Sequence, residues 1–421
     1  SDGLLKALDT KPKVEQKVET TNPEAYEFYL KAKHKYEKRE NTDDTEIARG
    51  LLNKAIELDD KLIVAKALLG TTYMQMGDYD EAMEIFTPAL KQAKKLGDKY
   101  GMGYSLFSIG VVHCDKADYE KALDCHNRSL VICEELGDKG GMGSVLNGIG
   151  VIHMKKGNYD KALKYYKRSF SIVEELGDKQ GIWIAYENIG SIHSEKNNLD
   201  TALDYFNRSL QILEEAGDKH WMAGSLNSIG IVHYRKGELD NALDYFGRSL
   251  TILEEFGDKS GMVHPLNNIG EVYSSKGDFE KALDYLARSL ALREEVGDRR
   301  GMTITLDTIG NIHYYKGDYK KAVECLEKSL AIQKEIGIKT RKLFATISLY
   351  LTYKHLGKDY DVKEIYSLIK EAENIEYEVN LRLYELLEDT SYLEIAYNQV
   401  QEKADNLEPD VAAKFLSYPI P

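Results

Sequence analysis

The chain has few of the residues on which disulfide-linked and metal-bound folds depend. Its four cysteines form no CxxC pair, so neither a disulfide framework nor a thiolate zinc site is expected. Only seven prolines interrupt 421 residues, which leaves room for long helices. No apolar run is long enough to span a bilayer, and the start lacks the basic and apolar regions of a signal peptide. These absences predict a helical protein of the reducing cytoplasm.

An excess of positive charge is also missing. The formal net charge of −14 argues against a nucleic-acid binder, which needs a basic stripe to displace counterions from phosphate. It argues equally against docking on an anionic membrane. Charged residues make up 30% of the chain, and Ala, Leu, Lys and Glu are common, as is typical of amphipathic helices. The acidic balance favours basic partners.

What the sequence does contain is a repeat with a period of forty residues. Two glycine positions and one alanine position recur in seven consecutive units, which chance does not produce. The three series are Gly70, Gly110, Gly150, Gly190, Gly230, Gly270 and Gly310; Ala82, Ala122, Ala162, Ala202, Ala242, Ala282 and Ala322; and Gly97, Gly137, Gly177, Gly217, Gly257, Gly297 and Gly337.

A single unit predicts a helical hairpin. Gly217 suits a left-handed end to the preceding helix, and Asp218 is placed to cap the next one. A glycine inside a helix costs about 1 kcal/mol relative to alanine, so its recurrence requires a packing reason. We expect Gly230 to face Ala242 where the two helices of the hairpin cross.

These residues carry a family resemblance. Leu226, Ile229, Gly230, His233, Ala242, Phe246 and Ser249 are similar to the tetratricopeptide signature, with His in the usual Tyr place and Ser in the usual small-Ala place. The forty-residue period resembles the longer subclass found in Pins-type adaptors and kinesin light chains. The resemblance implies an all-α fold, a right-handed superhelical solenoid of helical hairpins with a concave groove.

The repeat predicts the organisation of the chain. We expect a linker over residues 1–22, a first repeat of the thirty-four-residue type over 23–60, seven forty-residue repeats over 61–340 and a degenerate repeat over 341–380. Residues 381–421 are expected to form capping helices and a tail. In one alternative, the segment 415–420 of that tail fills the groove as an autoinhibitory plug.

The start of the chain suggests a second context. Its first residue is Ser1 rather than Met, and the stretch Thr21–Tyr26 resembles the junction found in bacterial multi-domain signalling proteins. We therefore expect a fragment of a longer protein.

No set of residues predicts catalysis or a cofactor. The series His113, His153, His193, His233 and His313 is spaced once per unit, which separates neighbours by roughly 10 Å. A metal ion needs ligands within about 2.0–2.2 Å, so packed, hydrogen-bonded histidines are expected instead. The glycines of 140–143 do not follow a strand, so a phosphate loop is not expected. We expect no enzyme, no cofactor and no metal.

The face of the first helix opposite its apolar stripe predicts the binding surface. Matching positions line the concave groove in the family, and here they vary while the core positions do not. The early units are apolar and the later ones polar and acidic. None of the seven units has the basic residues of a carboxylate clamp, which argues against a receptor for chaperone tails. The candidate groove residues are Tyr104, Phe107, Val111, Asn147, Val151, Met154, Glu187, Glu195, Asn227, Ile231, Tyr234, Arg235, Asn267, Glu271, Asp307, Asn311 and Tyr314.

Three hypotheses follow. The first is a cytoplasmic adaptor or scaffold that binds a protein or peptide segment, apolar at one end and basic at the other. In it, asparagines such as Asn147, Asn227 and Asn267 hold the peptide backbone and carboxylates hold arginines; the alternative is that these side chains are only solvated. The second hypothesis is the sensory module of a bacterial signalling enzyme, and the third is self-association.

Overall fold

The computed structural model describes residues 22–37, 42–75, 78–337, 341–372 and 375–405, and these contain helices and no strand. The plug segment 415–420 and the linker residues 1–21 lie outside this range. The helices are α1 (Pro23–Glu37), α2 (Thr42–Leu58), α3 (Ile63–Gln75), α4 (Tyr79–Leu96), α5 (Lys99–Asp115), α6 (Tyr119–Leu136), α7 (Lys139–Lys155), α8 (Tyr159–Leu176), α9 (Lys179–Glu195), α10 (Leu199–Ala216), α11 (Lys219–Arg235), α12 (Leu239–Phe256), α13 (Lys259–Ser275), α14 (Phe279–Val296), α15 (Arg299–Tyr315), α16 (Tyr319–Glu335), α17 (Lys342–Leu356), α18 (Val362–Glu371), α19 (Tyr377–Leu387) and α20 (Thr390–Asp405). None of them is both long and apolar enough to cross a bilayer.

The chain divides into two units, residues 1–177 and 178–421. In each unit the helices pair into antiparallel hairpins, α1 with α2 through α7 with α8, and α9 with α10 through α15 with α16. The first helices of successive hairpins also contact one another, for example α5 with α7 and α11 with α13. We call the side formed by these first helices the inner face of each unit. The all-α solenoid expected from the sequence is confirmed.

Glycine and aspartate set the boundaries between hairpins. Gly217 ends α10 with φ 69°, and the next backbone amide, of Asp218, donates to the carbonyl of Leu213 at 3.0 Å. Asp218 stands at the N-cap position of α11 as expected, but its side chain makes no capping hydrogen bond. At the equivalent positions, the side chains of Asp98 and Asp258 do accept from the amide three residues later, at 2.8 Å.

A buried side chain of the second helix, most often an aromatic ring, explains the glycine inside the first helices α3, α5, α7, α9, α11, α13 and α15. A Cβ built on Gly230 would stand 2.6 Å from the ring of Phe246, which is itself 1% exposed. The ring lies one turn beyond the expected partner Ala242 on α12 and makes the closest contact with the glycine. At Gly270, in the next hairpin, the carbonyl of the equivalent alanine lies 3.3 Å from the built Cβ as well. Ser249 completes the contact, because its hydroxyl donates to the carbonyl of Ala223 at 2.7 Å. Close packing of ring on backbone thus fixes the separation of the two helices.

A histidine takes this place in one hairpin. His126 occupies the place of the ring, against Gly110, and is 1% exposed. Its ring also approaches the place where a Cβ on Gly148 of α7 would stand, at 2.9 Å. Burial lowers the pKa of His126 to about 4, so the ring is neutral at physiological pH.

Ion pairs connect one hairpin to the next. A lysine after the end of a first helix pairs with a carboxylate in the first turn of the preceding second helix, thirty-six residues earlier. Lys156 and Glu120 approach to 2.7 Å in the first unit, and Lys236 and Asp200 to 2.8 Å in the second. These exposed pairs each contribute less than about 1 kcal/mol.

The last helices of the second unit depart from the stack. α17 packs against α16 and α18, as the next hairpin should, but α19 packs on α17 and α20 packs on α19. Leu383 and Leu386 of α19 are buried in the same cluster as Ile347 and Leu351 of α17. α19 therefore lies on the side of the first helices.

Two glycines in α11 provide a matched test of the ring contact. Gly230→Ala should lower the free energy of unfolding by roughly 1–3 kcal/mol, because the new methyl group overlaps the Phe246 ring. Gly224→Ala, where a Cβ meets nothing within 4 Å, should raise it by up to about 1 kcal/mol through helix propensity. Urea unfolding followed by circular dichroism measures both, and equal effects would contradict the contact.

Candidate functional site

The inner face of the first unit is apolar and half-buried. Phe107 packs on the His126 ring, with 5.3 Å between ring centres, and joins the cluster around Val145 and Ile149. Tyr104 lies beside Thr71, and burial raises the pKa of its phenol. The other predicted residues of this unit, Val111, Asn147, Val151 and Met154, are half-buried as well. They offer shallow apolar surface rather than a deep cavity.

In the second unit, the predicted groove residues bridge neighbouring first helices. Glu187 of α9 accepts hydrogen bonds from Ser225 at 2.6 Å and from Ser228 at 3.2 Å, both on α11. Burial raises the pKa of Glu187, and the serine hydrogen bonds only partly oppose it. The carboxylate therefore holds two helices together while lying on the inner face.

The asparagines take part in the same kind of bridge. The side-chain amide of Asn268 donates to Asn227 at 2.9 Å, and Thr305 donates to Asn267 at 3.1 Å. Asn267 also donates to Glu271 at 2.8 Å and is itself buried, so the expectation that its amide is open to a peptide backbone is wrong in this conformation. Burial raises the pKa of Glu271. The solvated alternative does not fit Asn267 either, because its side chain is buried.

Further along the first helices, three predicted residues are more accessible. Arg235 donates to Glu195 at 2.8 Å and to the backbone carbonyl of Ser194 at 2.8 Å. Tyr234 lies 2.9 Å from the hydroxyl of Ser275, oxygen to oxygen. Ile231 packs at the edge of the core cluster of the next hairpin. Glu195 and Arg235 remain exposed, so both can reach a ligand.

The position of Asp307 differs from the acidic half of the groove that the sequence predicts. Its side chain is fully buried, and neither carboxylate oxygen has a hydrogen-bond partner among the described residues. Arg341 lies 3.6 Å away, nitrogen to oxygen. Burial raises the pKa of Asp307 to about 6, against the smaller opposing effects of Ser329 and Arg341. Asp307 cannot meet a ligand here, because the surrounding helices cover it.

The last predicted residues are covered by α19. Asn311 accepts a hydrogen bond from Arg382 at 3.0 Å, and the Tyr314 hydroxyl donates to Glu385 at 2.7 Å. Sequence reasoning missed Arg382 and Glu385, as well as Arg341. An arginine and a glutamate three residues apart on a helix were visible, but nothing local indicated the surface that they contact.

The histidine series is packed, as expected, but chiefly by ring stacking. His153, His193 and His233 lie nearly parallel to the tyrosines of the second helix in their hairpins, with 5.4, 5.6 and 5.1 Å between ring centres. His233 also hydrogen-bonds Glu238 at 2.6 Å. Throughout the described ranges, no three His, Cys, Asp or Glu side chains are grouped as metal ligands would be.

Comparison with known proteins agrees with this geometry. A family model described as tetratricopeptide repeat matches residues 63–135, 141–215, 182–255, 221–295 and 261–335. The chain belongs to the tetratricopeptide repeat family. A search of the curated proteins found no match. As a member of this family it is a protein-interaction or regulatory module.

Solved structures share the fold at low identity. The apo form of RapI matches with 16% identity and a TM-score of 0.53, over 65% of this chain and 98% of that one. The apo form of the quorum sensor NprR from B. thuringiensis matches with 16% identity and a TM-score of 0.55, over 83% and 98%. A signal transduction ATPase with a tetratricopeptide repeat sensor, from Pyrococcus horikoshii, matches with 17% identity and a TM-score of 0.56, over 90% of this chain and 55% of that one.

The raised pKa of Asp307 predicts a pH-dependent stability. Because the folded chain favours the protonated acid, the contribution of Asp307 to the free energy of unfolding is fully present below its unfolded pKa of about 3.8. That contribution is lost as the pH rises towards 6. Asp307→Asn cannot ionise, so it should raise the free energy of unfolding by roughly 1–3 kcal/mol at pH 7.5 and by much less at pH 4.

Urea unfolding at both pH values measures this difference, with Asp244→Asn as the control. Asp244 is exposed, so its replacement should change little at either pH. A gain for Asp307→Asn that is equal at pH 4 and pH 7.5 would show that ionisation is not the cause.

Proposed function

We propose that the chain binds a basic peptide segment of a partner protein along the inner face of its second unit. The observation that carries the proposal is the set of desolvated carboxylates on that face. Burial raises the pKa of Glu187 and Glu271. Glu195 lies exposed at the C-terminal end of α9, the helix that also contains Glu187. Desolvated acids with raised pKa values concentrate at functional sites. Arginine or lysine from a ligand would stabilise their charged forms.

The first unit suits a different part of a ligand. Its inner face offers Phe107, Val111, Val151 and Met154 with no carboxylate among them, which fits apolar side chains. A half-buried aromatic ring such as Phe107 provides contact area with little loss of side-chain entropy on binding. We propose binding rather than catalysis as the activity of the whole chain, in a cytoplasmic setting.

A second candidate is the sensory module of a signalling enzyme. It is supported by the likeness to the tetratricopeptide repeat sensor of the Pyrococcus horikoshii ATPase, which covers 90% of this chain. NprR, named a quorum sensor, supports a sensory role in the same way. Both candidates use the same inner face, and they differ in whether binding regulates a catalytic domain of the same protein.

Charge removal on the inner face tests the proposal. Twelve-residue peptides selected from a random display library on the intact chain are the probes, and fluorescence polarisation measures their affinity. Glu195→Gln with Glu271→Gln keeps the side-chain shape and removes two charges, so basic peptides should bind at least about 10-fold more weakly.

The matched control removes the same charge elsewhere. Asp204→Asn with Asp244→Asn changes two exposed carboxylates on α10 and α12, outside the inner face. Affinity should remain within about twofold of the unmodified chain. Equal losses in the two double variants would indicate unspecific attraction to the acidic protein. If no selected peptide loses affinity when the inner-face charges are removed, the proposed function is refuted.

A further inference from the structure

The C-terminal helix α19 lies on the surface that the proposed function assigns to a ligand. Within the array it packs mainly on α17, whereas earlier first helices such as α11, α13 and α17 also pack extensively on the second helix before them. The side chains of α19 reach α15, seventy-one residues earlier in the chain, at the inner-face residues Asn311 and Tyr314. α19 therefore lies on the inner face at α15 and α17.

Arg382 makes the most specific contact. Its guanidinium donates to Asn311 at 3.0 Å, to the Ser348 hydroxyl at 2.9 Å and to the Tyr315 hydroxyl at 2.8 Å. It also lies over the Phe344 ring, 5.0 Å from its centre. Three polar partners and an aromatic face form a site shaped for a planar cation, which lysine would fill less well.

Glu385, one turn later, is a second charged residue of α19 that contacts the inner face. It accepts from the Tyr314 hydroxyl at 2.7 Å, and the Lys354 ammonium donates to its backbone carbonyl at 3.0 Å. Between and beside the two charges, Leu383 and Leu386 are buried against α17. The sequence Arg-Leu-Tyr-Glu-Leu over 382–386 thus contacts the array with two apolar anchors, one cation and one anion.

The contacts of α19 are suited to its displacement by another helix. α19 has eleven residues, and apart from α20 its most extensive helix packing is against α17. Glu385 is exposed and Arg382 is half-buried, so the polar part of the contact is open to water. Contacts of this kind open locally at a small fraction of the global stability.

We propose that α19 is an internal ligand, and that the partner segment is a short helix with the same Arg-Leu-x-Glu-Leu arrangement that displaces it. This rests on the proposed function and makes it more specific. A segment tethered in the same chain acts at an effective concentration near the millimolar range, so it lowers the apparent affinity of any competitor. Weakening α19 should therefore strengthen binding of a peptide added in solution.

The probe is a fluorescein-labelled peptide with residues 377–388 of this chain. It should bind the intact chain weakly and should bind the variant Arg382→Ala with Glu385→Ala at least about 10-fold more tightly. Adding Asn311→Ala and Tyr314→Phe to that variant should weaken binding at least about 10-fold, because one partner of the arginine and the hydroxyl partner of the glutamate are removed. A peptide carrying alanine at positions 382 and 385 should not bind.

A matched control changes the same residue types outside this surface. Arg288→Ala with Glu294→Ala breaks exposed ion pairs of α14, and the affinity of the probe should equal that of the unmodified chain. A gain in this control as large as in the Arg382 and Glu385 variant would overturn the proposal, since it would reflect a general change in charge.

Hydrogen exchange on the unmodified chain gives a readout that no substitution can disturb. The amides of α19 should exchange faster than those of α17, and excess probe should accelerate them further while α17 stays protected. Protection of α19 equal to that of α17 and unchanged by the probe would identify a permanent cap and overturn the proposal. If the probe fails while library-selected peptides still depend on Glu195 and Glu271, the internal ligand is refuted and the proposed function stands.

Discussion

The contact of a buried side chain, most often a ring, with a glycine inside the forty-residue hairpins is the constraint on which the rest of the fold depends. In α11 and α12 the ring of Phe246 lies so close to Gly230 that a methyl group would overlap it. Phe86, Tyr166 and Phe206 take the same place in other hairpins, and Leu286 and Leu326 take it towards the end of the array. Because this contact holds the helix pair at one separation, the residues on the remaining faces are free to differ from unit to unit.

That freedom is used on the inner face, where polar side chains serve the fold and the surface together. Glu187 links α9 to α11, and the amides of Asn227 and Asn267 link the next pairs of first helices. Burying carboxylates opposes stability, as the unpartnered oxygens of Asp307 show. An array held only by its hairpin cores would not need them. Their retention at one surface is consistent with a protein that gives up stability where it meets a partner.

Local signals predicted the helices, their glycine ends and the hairpin pairing, because periodicity and capping act over a few residues. The contacts that form the candidate site join residues far apart in the sequence, so local patterns could not predict them. Asn268 meets Asn227 across forty-one residues, and Arg382 meets Asn311 across seventy-one. The burial of Asp307 depends on all the helices around it at once, so its position in the repeat indicated an exposed groove residue. The closest contact of Gly230 was also not indicated, since Ala242 and Phe246 lie on the same stripe of α12 and only the packed structure shows that the ring reaches the glycine first.

The ion pairs between hairpins have a consequence for how such a chain grows. Each of the five forty-residue units between residues 101 and 300 has both a lysine and a carboxylate at these sequence positions. Lys276 meets Asp240 of the unit before it at 2.6 Å, and Lys236 meets Asp200. A duplicated unit brings both halves with it, so every pair stays complete whichever copy stands beside which. Gene duplication or loss of whole units can therefore change the length of the array without leaving a mismatched joint, and selection can then act on the inner face of each new copy separately.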